Sequence, residues 1–179
     1  MMTPSLDDPC GRYLTYRQLI ECGETQLHCG LPNTPQRPES YRALNDLAVH
    51  VLDRVIEHFG RIRLTYGFCS PELSKAICGS IDPRRDLHAC HEVNRRGNPI
   101  CARLGAAADF LVEDTGMLAV AQWTVANTPF DRLYFYADDK PIHVSFGPNH
   151  DRQIVRMIPG RSRRIVPRVT PTSAFLALP

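Results

Sequence analysis

An α+β fold, with an antiparallel sheet packed against helices, is predicted by three features of the sequence. Apolar residues between positions 44 and 59 recur at three- and four-residue spacing, the period of a helix with one buried face. The strand-like segments gather after that helix, and two of them are joined as a hairpin across Asp138-Asp139. The chain of 179 residues shows no internal repeat and no second domain boundary, so one core has to serve all of it.

The elements follow in order. Thr15 is placed to cap a short helix over residues 16–22, which Gly23 stops. Gly30, Pro32, Asn33, Pro35 and Pro38 make residues 24–38 a loop. Leu44, Leu47, Ala48, Val51, Leu52, Val55, Ile56 and Phe59 form the buried stripe of the strongest helix, ended by Gly60. Residues 61–66 alternate as a strand, and Gly67 breaks it. Ser70-Pro71-Glu72 then starts a helix to about Ile77, with Ser as cap, Pro in the first turn and an acid beside the helix dipole. Residues 82–99 are too polar for core and too long for a plain connection, which marks a functional loop. A buried strand over 105–112, a helix ending near Asn127, the hairpin of 131–136 with 141–146, and an edge strand over 153–158 complete the series. On this reading residues 1–38 are an N-terminal extension, 39–158 the α+β domain and 159–179 a basic C-terminal tail.

Composition narrows the function. A net charge of +2 gives no general pull toward nucleic acid, although Arg152, Arg156, Arg161, Arg163, Arg164 and Arg168 crowd the C-terminal end. The acidic start has no apolar signal segment and no run reaches the ~18 apolar residues of a membrane span, so the expected compartment is the cytoplasm, with no membrane partner. Seven cysteines, an odd number without a Cys-x-x-Cys pair, are then expected as thiols rather than bridges or a zinc knuckle.

Chemistry concentrates at two points. Asp109 ends the small run Gly105-Ala106-Ala107-Ala108, and His143 is a lone imidazole in the apolar strand Pro141-Ile142-His143-Val144-Ser145. An Asp and a His from neighbouring strands are two-thirds of a zinc site or of a nucleophilic triad.

Three blocks carry a resemblance: Tyr66-Gly67-Phe68-Cys69-Ser70-Pro71, Gly105 to Asp109, and Phe130-Asp131-Arg132-Leu133 followed by Ile142-His143-Val144-Ser145. In order and spacing the chain resembles the zinc D-Ala-D-Ala carboxypeptidases and dipeptidases, which share the hedgehog/DD-peptidase fold. The likeness runs from about Ile62 to Phe146. It implies zinc held by His, Asp and His, with Asp109 and His143 as two of the ligands. It also exposes departures. The first His ligand is replaced by Ala102, the Arg of the turn by Cys69, and the Glu base falls near Tyr136.

Zinc needs about three protein ligands, so a third has to come from elsewhere. His88 in Asp86-Leu87-His88 is the favoured candidate, with His91 or Cys101 as replacements, and Glu92 becomes the substitute base if the loop closes over the site. Zinc-assisted hydrolysis of an amide in a small peptide or amino-acid conjugate is the expected activity. Two alternatives use the same residues. Cys69, His143 and Asp109 can be arranged as a thiol enzyme. Arg84, Arg85, Arg95, Arg96 and Arg103 can make the cleft a non-hydrolytic site for an anionic ligand, phosphate or nucleic acid.

Overall fold

The computed structural model describes residues 3–77, 82, 84–160 and 164–179. Thr15 forms a reciprocal capping box with Gln18 and so starts α1 (Tyr16–Ile20) directly after a minute hairpin of β1 (Pro9–Cys10) and β2 (Leu14–Thr15). Where a loop was expected, α2 (Glu24–Cys29) forms: Glu24 lies in its first turn and Gly30, at φ 59°, closes it in the left-handed region. The long helix is interrupted, running as α3 (Pro38–Leu47), one wide π-helical stretch (Ala48–Leu52) and α4 (Asp53–Phe59). The apolar period survives the interruption, for Leu44, Leu47, Ala48, Val51, Leu52 and Val55 are all fully buried.

Six strands make the main sheet: β3 (Ile62–Tyr66), β4 (Ala106–Val112), β5 (Arg132–Phe135), β6 (Ile142–Phe146), β7 (Gln153–Pro159) and β8 (Ile165–Thr170), in the order β3-β4-β6-β5-β7-β8. Three helices lie between or after them, α5 (Pro71–Ala76), α6 (Met117–Asn127) and α7 (Thr172–Leu176). The fold class is therefore α+β, but the sheet is mixed, because β7 runs parallel to β5. Asp131 accounts for that crossing. Its carboxylate, fully buried, accepts from Arg103 and from the Asp151 backbone, while its carbonyl accepts from Gln153 at 2.9 Å. Arg152 reaches back to the carbonyls of Val125 and Thr128 at the end of α6. The chain leaving β6 is thus pulled past β5 and laid beside it.

Two boundaries need correction. The stretch read as a C-terminal tail contains β8, which makes β7 internal, and α7, whose Phe175 is fully buried 5.8 Å from the Phe135 ring. Basic composition concealed this, since β8 is exposed and the end is anchored by Phe175, by Leu178 and by Gln122, which donates to carbonyls of the last turn. Arg161 and Arg163 lie outside the described residues. The N-terminal extension also belongs to the core, through Cys10, Tyr16, Leu19 and Ile20. The described cysteines are free, and Cys78 lies outside the described residues. Among the described residues no helix is long and apolar enough to cross a membrane.

The strand period of two divides the sheet. Ala106, Ala108, Phe110, Ile142, Val144, Leu133 and Ile154 face the helices in the main core. Ala107, Asp109, His143 and Tyr134 face the other way, and a satellite cluster of Leu87, Cys101 and Ala107 fastens the polar loop there.

Asp131→Ala removes the shared acceptor of Arg103 and Asp151 and leaves a guanidinium poorly compensated. A loss of about 3 kcal/mol is expected by urea denaturation, against about 0.5 kcal/mol or less for Asp139→Ala on the surface.

Candidate metal centre

Register brings the first two ligands together. Asp109 on β4 is the direct partner of His143 on β6, so both side chains project from one face, and His143 Nδ1 lies 2.7 Å from Asp109 Oδ1. Tyr134, the partner of His143 on β5, stacks on its ring at 4.8 Å.

The third comes from the loop. The small side chain of Ala107 lets Leu87 and Cys101 pack on the sheet, and Leu87 is held at φ 62° to do so. His88 follows, buried, with Nδ1 2.6 Å from the Gly67 carbonyl. A carbonyl only accepts, so Nδ1 carries the hydrogen and Nε2 is directed at Asp109 Oδ1, 3.3 Å away. Gly67 is itself fixed by α1: a Cβ there would stand 2.1 Å from the Leu19 carbonyl oxygen. Backbone hydrogen bonds from Phe68 to Leu19 and from Cys69 to the His88 carbonyl complete the clamp.

His88, Asp109 and His143 each offer a ligand atom, all within 4.8 Å of one another, and the group can hold a metal ion. Burial alone would raise the Asp109 carboxyl, but the two histidines hold it well below the usual carboxylate range. Burial likewise disfavours the His88 imidazolium, yet Asp109, with Asp86 and the Gly67 carbonyl, lifts it to about 9.

The other expected site residues are placed differently. Glu92 is buried, and its Oε1 accepts from the Gln36 and Arg37 backbones and the Ser40 hydroxyl. It closes the N-terminus of α3 and is not the base of this site. Cys69 packs with Leu73 and Ile77, and its thiol is pushed up to about 12 by burial and Asp86. The thiol arrangement is not built, because among the described residues His143 Nε2 has no hydrogen-bond partner, cysteine included. Cys101 is committed to the Leu87 cluster, and His91 lines a different cavity with Glu39 and Arg42. Arg103 is spent on Asp131 and Asp151.

Tyr136 does reach the cleft, a cavity of about 410 Å³ that also exposes all three ligands. Arg85, expected for an anionic ligand, also lines it, whereas Asp86, Arg132, Tyr134 and Gln153 were not singled out as site residues. Alternation along β5 was the available signal, since Arg132, Tyr134 and Tyr136 fall on the face that His143 shares.

These features define a two-histidine, one-carboxylate cluster in the cleft of a mixed α+β sheet. No family model, curated protein or solved structure matches the chain.

Two outcomes follow. In chelator-treated protein the contribution of His88 is complete below its unfolded value near 6.5 and is lost as pH rises to about 9. On the order of 3 kcal/mol should disappear across that window in urea titrations, and His88→Gln should flatten the slope. Glu92→Ala should cost about 2 kcal/mol by the same measurement while leaving metal content unchanged.

Proposed function

We propose that the protein is a zinc-dependent hydrolase of small peptides or amino-acid conjugates, on a fold of the DD-peptidase kind. The observation that carries the reading is the meeting of His88, Asp109 and His143 from a loop and two adjacent strands. Two imidazoles and a carboxylate suit zinc by chemistry, and the Gly67 carbonyl fixes the His88 tautomer that leaves Nε2 for the ion. A bound zinc would supply Lewis-acid polarisation of a carbonyl and a more acidic water.

The chain's own groups divide the remaining work. Asp86 opens on the same cavity, with a carboxyl raised by burial, which suits a group that accepts and returns a proton. Tyr136 keeps its proton, because burial and Asp109 push its hydroxyl up, so it serves as a donor to developing negative charge. Tyr134 holds the His143 ring in place by stacking.

One observation favours a second reading, a site for an anionic ligand. Lys75, Arg84, Arg95 and Arg96 line a separate cavity of about 600 Å³ in which Glu72 is the one acid among the described lining residues.

Metal analysis after purification without chelator should give about one zinc per chain, falling below about a tenth in His143→Ala and Asp109→Ala. Asp86→Asn should retain zinc and lose on the order of 100-fold in release of amine from a panel of dipeptides and N-acyl amino acids. Zinc-loaded protein that turns over none of the panel would favour the anionic-ligand reading.

A further inference from the structure

We infer that Arg132 is the anion anchor of the cleft, receiving a carboxylate or phosphate group of the ligand beside the His88, Asp109 and His143 cluster. The inference deepens the hydrolase reading, and rests on it for the meaning of the cleft but not for the anion contact.

Two other part-buried arginines beside the sheet have both terminal nitrogens engaged: Arg103 by two carboxylates, and Arg152 by two carbonyls and the face of Phe130. Arg132 has no carboxylate within ion-pair distance among the described residues. Its one side-chain partner is the Tyr134 hydroxyl, 3.4 Å from Nη1, and its buried Nε, like those of Arg103 and Arg156, has none; what sets Arg132 apart is that it lines the cavity of the cluster. A buried N–H without an acceptor is costly, and a guanidinium presents its donors as a fork shaped for a planar oxyanion. The neighbours of Arg132 in register, Ser145 and Gln153, are neutral, and the acids that share the cavity, Asp82, Asp86 and Asp109, form no ion pair with it among the described residues. Arg85, the other arginine at this cavity, is already paired with Asp82.

Position adds distance. Arg132 lies two residues before Tyr134, which is level with His143 across the β5–β6 pair. Two residues of strand cover about 7 Å, the span of about two extended peptide units. A ligand with a reacting carbonyl at the cluster therefore reaches Arg132 with an anionic group one or two units further along. Val155, Met157 and Val169 line the apolar side of the same cavity.

The test is titration of chelator-treated protein with acetate and, separately, with inorganic phosphate, following the heat of binding by calorimetry in wild type and both variants alike. Saturable binding of either anion is expected, weakened about tenfold in Arg132→Gln and less in Arg132→Lys, which keeps the charge and loses the fork. Preference for acetate assigns a carboxylate ligand, and preference for phosphate a phosphorylated one. Equal binding by wild type and Arg132→Gln, or no saturable binding, overturns the inference. If Arg132→Gln lowers Tm in anion-free buffer, the comparison is decided on Arg132→Lys. Zinc stoichiometry, measured on separate samples, fails only if the metal reading fails.

Discussion

A carboxylate held in the middle of a sheet is the constraint on which this structure turns. Asp109 is taken largely out of water, and burial opposes its charge. Two imidazoles directed at the same oxygen compensate it, one from the neighbouring strand and one from a loop. The β4–β6 register is thereby specified from both faces. A slip of β4 by one residue would turn Asp109 into the helix-covered core and expose Ala108 and Phe110, and a slip of β6 would do the same with His143 and Val144.

The loop ligand depends on parts of the chain remote from it in sequence. The end of α1 requires a glycine at 67, the Gly67 carbonyl sets the His88 ring, and Cys69 ties off the His88 backbone. Buried Asn33 stitches the same region, donating to the carbonyls of Ile20 and Phe68 and accepting from the Ser70 backbone. The N-terminal residues are thus the footing of the His88, Asp109 and His143 cluster. On the other side Leu87 and Cys90 adopt positive φ values of 62° and 49°. Conformations of that kind cost non-glycine residues about 1–2 kcal/mol each and persist where packing over-determines them, as the Leu87 cluster does here.

Much of this was legible from sequence because it rests on local chemistry. The long amphipathic helix, the Ser70 cap and the β4 strand follow from period and capping. The facing of Asp109 and His143 was expected from the resemblance of their two strand blocks, and His88 from the need for a third ligand and the likeness of Asp86-Leu87-His88 to the segment that introduces one. What stayed hidden depends on tertiary contacts. The parallel β5–β7 pairing is set by Asp131, whose side-chain partners Arg103 and Asp151 lie 28 and 20 residues away, in positions that no local pattern marks. Strand β8 has no buried face to leave an alternating trace, and α2 is a short helix without a buried residue.

The loop's two acids show why residue type and proximity in sequence did not suffice. Asp86 and Glu92 flank His88, and Glu92 was the expected base if the loop closed over the site. Three donors at the start of α3 need an acceptor, and Glu92 supplies it. That bond does more than cap a helix. It ties the far end of the turn that carries His88 to α3, while Leu87 ties the near end to the sheet. Asp86, with no such duty beyond accepting from the His88 backbone at 3.3 Å, is left at the cavity. Fixing His88 from both sides consumes one acid and frees the other, so the geometry that makes a third ligand available also decides which carboxylate stands beside it.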